Sequence, residues 1–498
     1  MKNSLIFILA MLLYTTVSAQ VQWTYSNTPV VAMDTTYMWA SVGQPTCIIY
    51  NDTIRMWYAV ASGTTPTDTV PRGRIHYAWS TDGFNWTKYA GNPVLDTGIT
   101  GQWDDEWLDT PEILWDGTEF KMYYYGDSTY FQGQDNTNIG LATSSDGINW
   151  ARQGIVLSKG LQNEWDGDFI ESPAAYYNNV DNSYMIWYQG RDTTGWANIG
   201  GAVSPDGYAW TKFAGNPVVN TGPWLTSWDD MFVAVPSVIE SDGIFEMWYS
   251  GVNFFDQWDS VYIGYALSLD GLNWVKYPGN PVLKTLAGDS ANFWAVDVVW
   301  DETAALYRLY FENAYMSGAS AIFPATAPRT VLFSSSCNVS AGNDTTILQG
   351  NSCTLQASGG DVYLWYPSWG LDDPTAADPV ATPDSTTTYI VLVVGDSCIN
   401  TDTITVTVIP AVIWRADGRE SEMRIYPNPA SHKAVIEFNA DAGEQSDIEI
   451  YTCTGKKIRA SGGITSPYTL DCDGLTKGIY ILKLISEKKS VNGILMVK

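Results

Sequence analysis

Ile139-Gly140-Leu141-Ala142-Thr143-Ser144-Ser145-Asp146-Gly147-Ile148-Asn149-Trp150 is one of four copies of the same stretch in this 498-residue chain. The other copies are residues 75–86, 199–210 and 263–274. Their Asp residues, Asp82, Asp146, Asp206 and Asp270, stand 64, 60 and 64 residues apart. A self-similar period of this size means stacked modules. An Asp-Gly step after a β-rich run and before an Asn-Trp pair reads as a hairpin with φ > 0 at both turn residues. Three copies run on into a shared tail, Gly91-Asn92-Pro93-Val94, Gly215-Asn216-Pro217-Val218 and Gly279-Asn280-Pro281-Val282; the second keeps only Gly154-Ile155-Val156-Leu157.

Two further strand-like runs precede each copy. In the second unit they are Glu112-Ile113-Leu114-Trp115 and Phe120-Lys121-Met122-Tyr123-Tyr124-Tyr125, joined at Asp116-Gly117; the fourth unit repeats them around Asp242-Gly243. Four strands per unit is the content of a propeller blade. The fifth unit has Val298-Val299-Trp300-Asp301 and Tyr307-Arg308-Leu309-Tyr310-Phe311 but no Asp-Gly copy. Trp23-Thr24-Tyr25-Ser26-Asn27-Thr28-Pro29-Val30-Val31 reads like the run that begins at Trp86, so an N-terminal strand is expected to complete the last blade near Tyr307–Phe311 and leave no open edge. The fold class is all-β: a five-bladed β-propeller over residues 20–333, then an immunoglobulin-like β-sandwich and a small β-sandwich.

Met1-Lys2-Asn3, an apolar run from Leu5 to Tyr14 and Val17-Ser18-Ala19 form a secretory signal peptide over residues 1–19. The run is too short to span a bilayer, so no transmembrane anchor is expected. The formal net charge of −28 opposes binding to nucleic acid. Few Lys and Arg with abundant Trp and Tyr suit neutral sugars, whose faces stack on rings and whose hydroxyls donate to carboxylates. Two His, His76 and His432, and no C-x-x-C spacing argue against a metal centre or a Ser-His-Asp triad. No cofactor is called for, a Ca2+ in the channel is left open, and a monomer is expected.

Residues 334–410 lose charge and gain Thr. Cys353 precedes Trp365 by 12 residues, and 402–408 alternate with period two. This resembles an immunoglobulin-like domain of the polycystic-kidney-repeat kind, in which Cys353 and Cys398 are one candidate pair. Residues 411–423 form a linker. The last segment, 424–498, holds Ile425-Tyr426-Pro427-Asn428-Pro429-Ala430, Tyr451-Thr452-Cys453-Thr454-Gly455-Lys456 and Leu475-Thr476-Lys477-Gly478-Ile479-Tyr480. It resembles the C-terminal sorting domain of the type IX secretion system. That resemblance implies the type IX machinery as a partner and release from, or display on, the surface of an outer-membrane bacterium.

What every blade carries is architecture, and what one blade carries alone is a candidate for function. Asp82, Asp146, Asp206 and Asp270 therefore read as turn residues. Asp104, Asp166 and Asp229, each after a Trp that stands 8 residues before a Pro, read as loop-fixing carboxylates that accept backbone N–H groups. Two residues before that Pro the blades differ: Asp109, Glu171 and Ala234, with Gly43-Gln44 before Pro45 in the first blade. Asp109 and Glu171 thus place two carboxylates on adjacent blades facing the axis, as glycosidic cleavage needs. Trp103, Trp107 and Trp165 are candidate sugar-stacking rings on the rim.

The blade count, the Ile-Gly-x-Ala-x-Ser-x-Asp-Gly-x-x-Trp and Asn-Pro-Val signatures, and Glu171-Ser172-Pro173 resemble the arabinanase/levansucrase/invertase superfamily of glycoside hydrolases. The resemblance implies Glu171 as general acid and Asp109 as the residue that tunes it or holds substrate. The superfamily's first-blade Asp, the nucleophile or base, is replaced here by Gln44, a candidate substrate-binding residue, with Asp105 or Asp34 as substitutes for the acid. Two other readings stand beside a secreted hydrolase of a neutral glycan: a non-catalytic glycan-binding or adhesion propeller, and a structural surface protein. Sialidases, whose box has one more residue between Asp and Gly and whose site uses three Arg, fit less well. Removing residues 424–498 is expected to leave a folded propeller in the periplasm, checked by fractionating the host; normal secretion would contradict the sorting assignment.

Overall fold

The computed structural model describes residues 23–498 except 27, 33–40, 63–70, 130–136, 256–259, 285–292, 315–319, 330–337, 396–397, 410–422, 439–444, 453–455 and 487–489. The expected signal peptide, Asp34 and nearly all of the linker lie outside the described residues. Contacts divide the chain into residues 1–409 and 410–498.

Five antiparallel four-stranded units succeed one another in the first part. Their inner strands are Ser41–Tyr50, Trp107–Trp115, Phe169–Asn178, Phe232–Ser241 and Phe293–Asp301. Their second strands are Thr53–Ser62, Phe120–Asp127, Ser183–Arg191, Ile244–Val252 and Leu306–Ala314. The fifth unit is closed from the N-terminus: Thr24 pairs with Thr326 and Tyr25 with Ala325, and Val31 bridges Ile322. The strand so completed is Ser320–Pro328, one place further out than the expected 307–311 run. Ser320–Pro328 lacks the repeat motif, so nothing in its residues marks it as the third strand.

Each Asp-Gly turn is built on its own side chains. Ser144 Oγ accepts Gly147 N–H (2.9 Å), while Asp146 Oδ1 accepts the N–H groups of Ile148 and Asn149 at 2.8 Å each. The same set recurs at Asp82, Asp206 and Asp270. These bonds hold the Asp82 and Asp146 carboxyls well below the usual range. In this motif only the glycines have φ > 0 (72–80°), which corrects the two-residue turn expected from sequence: the Asp acts as an acceptor cap instead. Among the described Asp-Gly steps, Asp242-Gly243, at φ 56° and 78°, has both residues left-handed. The Asn-Pro tail adds a short extra rung, because Asn92 Oδ1 accepts Tyr77 N–H and Asn92 Nδ2 donates to Tyr77 O (2.8 and 2.9 Å).

The turns also join the blades. Trp57 Nε1 donates to Gly147 O (2.8 Å), Tyr123 OH to Gly207 O (3.0 Å), Trp187 Nε1 to Gly271 O (2.8 Å) and Tyr310 OH to Gly83 O (3.2 Å). Each donor sits at the same place on the second strand of one blade and reaches the turn of the next. The fifth blade has no such turn, and at the corresponding place Trp248 Nε1 is buried without a partner.

The sandwich comprises a sheet of Thr345–Leu348, Cys398–Ile409, Thr387–Gly395 and Val362–Tyr366, with Cys353–Thr354 paired to Val380–Ala381. Its Leu364, Leu392, Val394 and Ile399 share an apolar cluster with Tyr265, Val275 and Tyr277 of the fourth blade. Cys353 is a free thiol; the side chain of Cys398 lies outside the described residues. In residues 410–498, a three-stranded and a four-stranded sheet enclose Ala434, Ile436, Ile450, Leu482 and Leu495.

Trp57→Phe orphans the buried Gly147 carbonyl and is expected to cost about 1–3 kcal/mol beyond the packing loss. Trp248→Phe removes an already unpaired donor and should cost less. Urea unfolding of the two variants checks this; equal losses would count against the inter-blade bonds.

Candidate active site

Four inner strands break their ladder at the same point. The register shifts between Gly43 and Thr46, Asp109 and Glu112, Glu171 and Ala174, and Ala234 and Ser237. Pro45, Pro111, Pro173 and Pro236 lack the N–H a ladder needs, so a bulge is where a Pro is tolerated. The residue before each Pro, Gln44, Thr110, Ser172 or Val235, has φ between 42° and 51°, unfavourable for side chains with a Cβ and worst for Thr and Val. Since four blades share it, this strain is architectural. It brings the strand starts together around an axial cavity of about 20 Å³ lined by Gln44, Thr110, Ser172, Val235 and Asp297 among others, room for about one water.

Asp109 and Glu171 precede these bulges and are partly exposed. Asp109 Oδ2 accepts Trp107 Nε1 (3.1 Å) and Oδ1 accepts Thr110 N–H (2.8 Å). Burial nevertheless pushes its carboxyl up, outweighing both bonds. Glu171 lies opposite Gln189 on the neighbouring strand. The Tyr125 hydroxyl donates to Asp127 Oδ2 (3.1 Å), and its pKa is raised first by burial, then by Asp127, Glu171 and Asp109. Asp109 lies opposite Tyr125 in the ladder, and Ser172 N–H donates to Thr110 Oγ1 (3.1 Å), which sets Glu171 and Asp109 beside the two ends of one inter-blade hydrogen bond. Ser172 Oγ and Gln189 Oε1, beside them in sequence or register, are buried without a hydrogen-bond partner, polar capacity that a hydroxylic ligand or water would fill.

A fourth carboxylate joins from the fifth blade. Glu312 Oε2 accepts Gln44 N–H (3.2 Å). Its carboxyl is pushed up to about 7, by burial and then by the charge of Asp109. It rests where a first-blade side chain would begin: a Cβ on Gly43 would lie 1.9 Å from Glu312 Oε2.

Deeper along the axis two more acids tie blades together. Glu112 accepts Thr46 Oγ1 from blade one (3.1 Å) and Ala175 N–H from blade three (3.0 Å). Asp297 accepts Cys47 N–H from blade one (2.7 Å) and Ser237 Oγ from blade four (3.1 Å). Burial pushes both carboxyls up, and the Asp297 charge raises Glu112 further.

Of the residues singled out from sequence, the structure gathers Glu171, Asp109, Trp107 and Gln44. Gln44 contributes its backbone N–H to Glu312 and lines the axial cavity. Asp105 turns into its own loop, where Oδ2 accepts Gly101 N–H (2.5 Å). The Trp103 ring packs over Gly126 and Gly140 and the Trp165 ring over Gly190 and Gly200, and both residues stay partly exposed. Asp104, Asp166 and Asp229 are structural as expected, but their bonding partners are side chains. They accept the hydroxyls of Tyr124, Tyr188 and Tyr249, and pair with Arg152, Lys212 and Lys276 from the same blades.

Sequence reading missed Glu312, Glu112 and Asp297. Self-comparison of the second strands would have found Glu312, because the positions corresponding to it are Ala59, Tyr125, Gln189 and Ser250. Among the described residues, no group of three or more His, Cys, Asp or Glu is placed to hold a metal ion.

Residues 424–498 match the family model of the secretion system C-terminal sorting domain, so the chain carries a type IX export signal and is secreted or surface-displayed. No curated protein matches the chain. Among solved structures, that of BT0996 in an RGII complex superposes with a TM-score of 0.51 and 18% identity, over 61% of this protein and 92% of that one. Another, described as a glycoside hydrolase, gives 0.50 and 17%, over 61% and 92%. At these identities the likeness is one of fold.

Glu312 bears on stability as well as on the site. A carboxyl whose pKa is higher folded than unfolded stabilises fully below its unfolded value and loses that contribution as pH rises through the folded one. Stability is therefore expected to fall between about pH 4.5 and about pH 7, and Glu312→Gln should make that fall shallower. Urea midpoints across the range check the sign; an unchanged slope would contradict the burial-driven shift.

Proposed function

We propose that this protein is an exported glycoside hydrolase acting on a neutral glycan at the mouth of its propeller. The observation that carries the reading is that Asp109 and Glu171, the acids that break the repeat symmetry, stand next to the two ends of one inter-blade hydrogen bond, from Ser172 N–H to Thr110 Oγ1 (3.1 Å). Glu171 serves as general acid and protonates the glycosidic oxygen. Substrate burial beside it disfavours the carboxylate and keeps the proton in place. Asp109, fixed by Trp107 and Thr110, holds substrate and sets the local charge.

A neutral ligand also suits the surface. Trp224, Phe254 and Phe255 are exposed at 46%, 41% and 72%. The Trp224 ring lies 4.6 Å from that of Trp196 and 4.8 Å from that of Phe254. Their loops adjoin Arg191, Phe232 and Val252, at the ends of the strands where the bulges lie. Aromatic faces there offer stacking to sugar rings. A fold shared with a structure described as a glycoside hydrolase supports the same reading.

The alternative is a non-catalytic glycan-binding propeller, favoured by Gly43 and Gln44, which bring no carboxylate from the first blade. A panel of neutral polysaccharides with a reducing-end assay separates the two. Wild-type protein is expected to release reducing ends from at least one of them. Glu171→Gln should lower kcat by roughly 10²–10⁴ and keep binding. Binding without new reducing ends would favour the alternative, and full activity in Glu171→Gln would remove Glu171 from the acid role.

A further inference from the structure

We infer that Glu312, from the second strand of the fifth blade, is the general base that activates the attacking water. This inference rests on the hydrolase reading above. Hydrolysis of a glycosidic bond by direct displacement needs a proton donor on one side and a carboxylate on the other to accept a proton from water. Glu171 supplies the first. Asp109, held by Trp107 Nε1 and Thr110 N–H, is already assigned to holding substrate. The first blade offers no acid before its bulge.

The geometry around Gly43 supplies the missing group. Gly43 stands at the bulge position that carries Asp109, Glu171 and Ala234 in the next three blades. A Cβ there would collide with the Glu312 carboxylate, at 1.9 Å from Oε2 and 2.2 Å from Cδ. Gly43 therefore leaves the space into which Glu312 reaches, and the backbone N–H of Gln44 fixes the arriving oxygen. A carboxylate is thus delivered to the first-blade side of the mouth from across the closing seam of the ring.

The charged and polar groups bearing on Glu312 are Asp109, which raises its pKa, and the Gln44 N–H and Ser320 hydroxyl, which lower it; burial outweighs them all. A carboxylate made more basic in this way is better matched to accepting a proton near neutral pH. In the reaction, a water lone pair forms the new bond to the anomeric carbon while Glu312 takes the water's proton. The bond to the leaving oxygen breaks with its electron pair on that oxygen, which receives the proton of Glu171. Glu312 ends protonated and Glu171 ionised, and exchange with solvent resets both.

The test uses full-length protein and the neutral polysaccharide on which wild type is active. Glu312→Gln keeps the size of the side chain and an oxygen for Gln44 N–H. It is expected to fold and to lose roughly 10²–10⁴ in kcat. The acidic limb of the wild-type kcat/KM profile should fall near the Glu312 pKa of about 7. Glu312→Ala should form a glycosyl azide of inverted configuration with added azide, which a merely structural residue would not do. An active wild type whose Glu312→Gln variant is equally active, or whose Glu312→Ala variant yields no azide product, overturns this inference alone. A wild type that releases no reducing ends from any neutral polysaccharide overturns the hydrolase reading with it.

Discussion

A hydrogen bond from an aromatic donor on one blade to the turn glycine carbonyl of the next sets the spacing of the ring. It explains why the turn must hold glycine. A Cβ on Gly147 would lie 2.8 Å from the Trp57 ring, and one on Gly271 2.7 Å from the Trp187 ring. The left-handed φ at these glycines is a conformation glycine adopts without a steric cost. The Asp before it caps the loop, so the carbonyl is presented in a fixed direction. One short motif thereby builds its own turn and docks its blade. Where the fifth blade lacks the motif, the Trp248 donor is left unpaired, and the N-terminal strand closes the ring instead.

This repeated frame makes the site possible. With the blades held at equal spacing, the bulges before Pro45, Pro111, Pro173 and Pro236 present one residue each to the mouth. Identity at that position can then vary without disturbing the frame: glycine, aspartate, glutamate and alanine in succession. The buried axial acids beneath, Glu112 and Asp297, are tied to neighbouring blades by backbone and hydroxyl donors. Such ties between blades are the kind of support that catalytic side chains require.

Much of the fold was legible because it is written as repeats. The blade count and the closing strand follow from recurring motifs, as does the structural role of the shared Asp residues, and the last 75 residues are legible by their resemblance to a sorting domain. What stayed hidden has physical reasons. Glu312 is silent in a motif search because it follows the apolar run of its strand, and the space above Gly43 into which it reaches is made by folding. Asp104, Asp166 and Asp229 were read correctly as structural, but their Tyr, Arg and Lys partners come from strands about 20 to 50 residues away, beyond local pattern.

Glu312 reaches the first-blade bulge at Gly43 and Gln44, where burial and the charge of Asp109 both raise its pKa. Carbon-13 NMR titration of the Glu312 carboxyl in wild type and in Asp109→Asn measures that directly. The account predicts a midpoint near 7 in wild type and a lower one once the Asp109 charge is gone. A midpoint in the ordinary carboxylate range, unmoved by the substitution, would contradict it.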